Sequence, residues 1–143
     1  MALALASVVV LGGCGAAGQD PAGARSGTTT PLAPTPTPTV ATPDDGVSLS
    51  ALGFENGPVD RVFVPFGAQV SSRVDQPNNV TLVLTSPSSA DLLAFYRRTA
   101  AANGFTVTAD DPSTTTLAFT GLGWTGTFTG DARASALLLR PAN

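Results

Sequence analysis

The chain has 143 residues, 43% of them hydrophobic and 12% charged, and carries a formal net charge of −3. It contains one cysteine and no histidine, and its seven basic residues are all arginine. These counts exclude an intramolecular disulfide, a multi-cysteine or histidine-ligated zinc site, a Ser-His-Asp or Cys-His nucleophile pair and Schiff-base lysine chemistry within this chain, and the mild acidity argues against a nucleic-acid partner.

Met1 to Leu11 reads MALALASVVVL, without a charge or a strong breaker. Spanning a bilayer takes about 20 apolar residues, whereas a run of about 10–14 is the length of the apolar region of a signal peptide. Small residues follow at once, and Leu11-Gly12-Gly13-Cys14 resembles the lipobox of bacterial lipoproteins. That resemblance implies a diacylglyceryl group, with acyl chains such as palmitate, on the Cys14 thiol. It also implies cleavage just before Cys14, leaving residues 1–13 as the signal peptide. The pattern departs from the family at one point: no basic residue precedes Cys14. The expectation is therefore a true start codon upstream of Met1. Two acyl chains on one cysteine anchor a protein to a membrane surface without a transmembrane helix. Arginine as the sole basic residue, with abundant Ala, Gly, Pro and Thr, fits an actinobacterial-like, GC-rich source.

From residue 14 to residue 46 the composition is that of a linker. In TTTPLAPTPTPTVATP, Thr28 to Pro43, twelve of sixteen residues are Thr or Pro. Proline fixes φ and lacks an N–H, so the tract sustains neither a helix nor a central strand and favours extended polyproline II. It has too little bulky apolar surface to offset the entropy of ordering. About 30 such residues reach roughly 100 Å at about 3.1 Å each, the scale of a cell wall. Thr/Pro stalks are also O-glycosylation candidates.

Residues 47–143 form the expected domain, with six Arg against six Asp and one Glu. Val59 to Phe66 and Ala68 to Val74 read as two strands, while Ser48 to Asn56, with Leu52 and Phe54, fits either a helical turn or a strand. Val80, Leu82 and Leu84 alternate with Thr81, Val83 and Thr85. Ser88 to Asp91 has capping-box spacing. Leu92, Phe95, Tyr96 and Thr99 follow at i, i+3, i+4, i+7, and Asn103-Gly104 is a stop signal. This predicts a helix over about 89–103, with Arg97 and Arg98 towards its negative end. After it, Phe105-Val107, Leu117-Phe119, Trp124-Gly126-Phe128 and Leu137-Leu139 alternate with Thr or Ala and are separated by Gly, Asp and Pro turns. Period-two patterning with Thr on one side describes antiparallel strands with one covered and one wet face. The predicted fold is α+β: a two-layer sandwich of one main helix on a mostly antiparallel sheet, with room for one mixed pairing across the helix.

Motifs for chemistry are sparse. Asp110-Asp111 precedes Pro112 and reads as a turn rather than a metal or acid–base pair. Gly121-Leu122-Gly123 lacks the rest of a phosphate loop and reads as a hairpin. Ser86, Ser88 and Ser89 are explained by capping, although an anion can bind such a helix start. Tyr96 and Trp124, each the sole residue of its type, are the candidate ligand-binding residues, although both lie on inferred apolar faces. The Thr-rich outer face is the other candidate surface. No catalytic residue, metal site or cofactor is expected. The sequence thus describes a lipid-anchored, extracytoplasmic envelope protein whose small domain binds or scaffolds an envelope protein or a glycan. A cell-wall hydrolase and a lipid carrier are the alternatives, the first disfavoured by the missing His and Lys, the second by the small core.

Overall fold

The structure, a computed structural model, describes residues 40–143. The signal segment, Cys14 and the Thr/Pro tract up to Thr39 lie outside the described residues. The described part is α+β, with one helix packed on a six-stranded antiparallel sheet and a two-stranded sheet beside it.

The helix α1 (Ser89–Ala102) forms where its signals stand. At its start the Asp91 N–H donates to Ser88 Oγ at 3.2 Å, and Ser88 Oγ donates to Asp91 Oδ2 at 2.6 Å. One otherwise orphaned backbone donor is thereby satisfied. At its end Gly104 takes a φ of +91°. The Phe105 N–H reaches back to the Ala100 carbonyl and the Gly104 N–H to that of Ala101. This pair of bonds is the Schellman closure, which favours glycine at the left-handed position. Leu92, Phe95, Tyr96 and Thr99 are buried, as their spacing requires.

The strands are β1 (Gly46–Ser48), β2 (Phe63–Pro65), β3 (Gln69–Gln76), β4 (Asn79–Ser86), β5 (Thr106–Asp111), β6 (Thr116–Gly121), β7 (Trp124–Gly130) and β8 (Ser135–Pro141). β1 pairs with β2, and the large sheet has the order β3-β4-β8-β7-β6-β5. Every pairing is antiparallel, so the mixed pairing allowed by the sequence does not occur. β4 and β5 run in the same direction, but three strands lie between them. α1 crosses the sheet to reach the far edge, and the β5–β8 meander returns to β4.

The register makes the core a set of rows across the sheet. Leu82, Leu137, Phe128 and Leu117 are successive partners, all fully buried. The next row is Val80, Leu139, Gly126 and Phe119. Gly126 is required here by space: a Cβ on it would lie 2.1 Å from Phe119 Cε2. The Phe119 ring covers the glycine and meets Phe105 edge-on at 5.1 Å. The third row ends in Ser135 and Gly130, where a Gly130 Cβ would lie 2.6 Å from Ser89 Cβ. Small residues let the start of α1 approach the sheet there.

The N-terminal part differs from the sequence expectation. Val59 to Phe66 is not one strand. Gly57, with φ +85°, and Pro58 start a helical turn in which the Pro58 carbonyl accepts from the Arg61 and Val62 N–H groups, and only Phe63–Pro65 pairs with β1. Of Ser48 to Asn56, Ser48 ends β1 and the rest forms turns and loop, with φ +81° at Gly53. The strand expected at Ala68 to Val74 is β3, Gln69–Gln76. The packed region also starts before Val47: Val40 lies against the core, and a Cβ on Gly46 would sit 2.8 Å from Pro43 Cγ and 3.0 Å from Phe95 Cζ.

Replacing Gly126→Ala is expected to destabilise the domain by about 1–3 kcal/mol through the Phe119 ring. Phe119→Leu in the same chain should recover part of that loss, because the two sites share one space. Thermal unfolding of the single and double variants measures both; additive losses would contradict the packing described.

Candidate functional site

Tyr96 and Trp124, the two aromatic candidates, are not brought together. Tyr96 is 3% exposed, between Phe95 at 5.6 Å and Phe128 at 5.1 Å. Burial pushes its phenol pKa far above the usual value. Its hydroxyl is one of two buried side-chain polar atoms without a hydrogen-bond partner among the described residues; the other is Asn103 Oδ1. Trp124 is half-buried at the start of β7, on the helix side of the sheet. A Cβ on Gly57 would be 3.7 Å from its ring and 3.4 Å from Val80, so the turn at Gly57 covers this corner. Between the helix end and the hairpin that carries Trp124 the main chains meet closely: a Cβ on Gly121 would lie 2.5 Å from the Gly104 carbonyl oxygen.

Five of the aspartates are engaged in holding the chain. Asp110 faces the helix from edge strand β5 and is bound by Arg97. Asp111 accepts from the Ser113 N–H at 2.9 Å and from Ser113 Oγ at 2.6 Å, fixing the turn into β6. The adjacent pair read as one turn thus divides between an ion pair and a turn, because neighbouring strand residues face opposite sides. Asp131 accepts from the Arg133 and Ala134 N–H groups, and its carbonyl accepts from Ser89 Oγ. Asp75 accepts from the Glu55 and Asn56 N–H groups at 2.8 and 3.1 Å and ties that loop to β3. Asp45 pairs with Arg98 at 2.7 Å. These bonds hold four carboxyls below the usual aspartate pKa: Asp45 through the Arg98 guanidinium, Asp75 through the Glu55 amide, Asp111 through Ser113 and Asp131 through the Ala134 amide. No cluster of three metal-ligating side chains occurs among the described residues.

Two surfaces stand out among the described residues as places where something can bind. The first is the face of the large sheet opposite α1. Its central rows are Thr81, Leu138, Thr127 and Ala118, and Val83, Ala136, Thr129 and Thr116. None of these eight side chains carries a charge, and no helix lies on this side among the described residues. The second is an open apolar groove of about 460 Å³ beside β1 and β2. Val40, Val47, Phe63 and Phe66 supply its apolar walls, and Asp60 stands at its edge. Phe66, at 64% exposure, is the most exposed large hydrophobic side chain of the described residues. Neither Tyr96 nor Trp124 borders this groove. Periodicity did not single it out, because its walls come from a turn, two three-residue strands and the end of the Thr/Pro tract. The one available signal was Phe66, an aromatic residue outside the period-two strands.

No family model, curated protein or solved structure matches the chain.

The unpartnered phenol gives a direct test of the role of Tyr96. Removing a buried hydroxyl that makes no hydrogen bond relieves a desolvation cost. Tyr96→Phe should therefore leave stability unchanged or raise it by up to about 2 kcal/mol, measured by denaturant unfolding. A loss of more than about 1 kcal/mol would show that the hydroxyl has a partner.

Proposed function

We propose that this chain is a lipid-anchored protein of the bacterial cell envelope, whose small α+β domain binds or scaffolds a partner outside the membrane and carries out no chemistry of its own. The observation that carries the reading is Leu11-Gly12-Gly13-Cys14 at the end of the apolar run, with the chain's single cysteine at the position the lipobox requires. The order of parts agrees with it: an apolar segment, a cysteine, a Thr/Pro tract and then the folded domain. No helix among the described residues is long and apolar enough to cross a membrane; in this reading the anchor is the lipid on Cys14.

Binding rather than catalysis is supported by the use made of the carboxylates. Each of the five Asp residues described above is bound to an arginine or to a turn amide. A general acid or base needs a group free to reach substrate with its pKa tuned towards the working pH, whereas four of these five are pushed the other way. The sheet face opposite α1, uncharged in its two central rows with Asp111 and Arg140 at its margins, and the apolar groove are the surfaces on which a partner, an envelope protein or a glycan, would rest. A hydrolase or a lipid carrier would need a cleft with paired free acids or an enclosed apolar cavity; the groove is open and has a single carboxylate, Asp60.

The tether is tested with Cys14→Ser. In cells grown with labelled palmitate, the wild-type chain should carry label and sediment with membranes. The variant should lose the label and leave the membrane fraction. A variant that stays membrane-bound would overturn the reading.

A further inference from the structure

The apolar groove beside β1 and β2 lies where the Thr/Pro tract enters the domain. Val40, Thr42 and Pro43 belong to that tract, and each already rests on the domain: Val40 packs on the core, Val40 and Thr42 line the groove, and the Pro43 ring covers Gly46 next to Phe95. The Pro43 carbonyl accepts from the Gly46 N–H at 3.1 Å and turns the chain into β1. The tract is thus anchored at its end, while the exposed Phe66 side chain and the remaining groove are left uncovered by the described residues.

We propose that the groove is the binding site of this chain's own Thr/Pro tract, with Pro36–Thr39 laid along Val47, Phe63 and Phe66 as a polyproline II strand. Three observations choose this occupant. The first is position: Val40 lines the groove, so Thr39 and the residues before it enter the domain at the groove itself. The second is size: four residues in polyproline II are a short segment of roughly 12 Å, and the open groove of about 460 Å³ is of the order of a short peptide rather than a folded partner. The third is chemistry. Pro-Thr-Pro-Thr carries no charge and presents proline rings and threonine methyls, and polyproline II segments dock on aromatic-lined grooves because little conformational entropy remains to be lost. The Thr hydroxyls have Asp60 at the groove edge as an acceptor.

Docking changes what the tether does. With 36–39 held, the free spacer runs from about Gly15 to Thr35. Some 20 residues reach roughly 60 Å, against roughly 100 Å for the whole stretch. The proposal does not depend on the lipid at Cys14.

The test is NMR on the full mature chain, comparing wild type, Phe66→Ala and Pro36→Ser/Pro38→Ser. Phe66 is 64% exposed, so its truncation leaves the core intact, and the two proline changes lie outside the folded part described. In the wild type, Thr37 and Thr39 should show order parameters near ~0.8 and methyl contacts to the Phe66 ring. In Phe66→Ala those values should fall below about 0.6. The double proline variant should shift the Val47, Phe63 and Phe66 resonances. Thr37 and Thr39 moving as a free chain in the wild type, with the groove resonances unchanged by the proline variant, would overturn the proposal. Contacts that appear only as concentration rises, together with a dimer in light scattering, would assign the groove to a second copy's tract and also overturn it.

Discussion

One helix has to cover a six-stranded sheet, and this mismatch organises the rest of the domain. A helix is about 10 Å across, whereas six strands at about 4.8 Å spacing are more than twice as wide. α1 crosses the meander side, over β5, β6 and β7, and reaches β2 beyond the large sheet. The other half would leave Val80, Leu82 and Leu84 of β4 open to water. The segment from Gly46 to Pro65 closes it, contributing Leu49, Phe54, Val62, Phe63 and Val64 to the same core. Its turns are fastened to edge strand β3: Arg73 donates to the Leu52 carbonyl at 3.0 Å and lies over the Phe54 ring, and Asp75 holds the Glu55 and Asn56 amides. The helix is held at both ends, at its start by Ser89, whose hydroxyl bonds to Asp131 and Ser135, and at its finish by the Schellman turn.

The same mismatch produces the two surfaces of interest. All cover is spent on one side, so the opposite face keeps its Thr, Ala and Val rows in contact with solvent. A β face whose central rows are uncharged, with Asp111 and Arg140 only at its margins, suits a partner that supplies its own hydrogen bonds, and threonine keeps it wettable. The groove arises where the covering segment itself ends: β1 and β2 are only three residues each. Phe66 follows immediately, with its N–H bonded to the Asp45 carbonyl and its ring outside the core.

What the sequence made legible is what obeys a period or a local stop signal. α1 is placed within a residue, because Ser88 and Gly104 mark its ends in ways that do not depend on the rest of the fold. The strands of the meander follow their alternation. The segment before β3 was misread because it has apolar residues without a period: Leu49, Phe54 and Val62 are buried from turns, and turns impose neither a 2.0 nor a 3.6 repeat. Asp110 and Asp111 were read as a unit because adjacency was visible and sidedness was not. The groove was invisible for a related reason: its walls are far apart in sequence, and Phe66 has meaning only once Val40 is seen beside it. The pairing order followed from none of these signals, since alternation tells which face a residue takes but not which strand lies next to it.

In the function proposed above, attachment rests on a single atom, the Cys14 sulfur, with a tether and a binding domain beyond it. The most direct measurement is the intact mass of the protein extracted from membranes, with fragmentation of its N-terminal peptide. The account predicts a chain that begins at Cys14, with residues 1–13 absent and a diacylglyceryl mass on that cysteine. A chain that retains residues 1–13, or an unmodified thiol at Cys14, would contradict it.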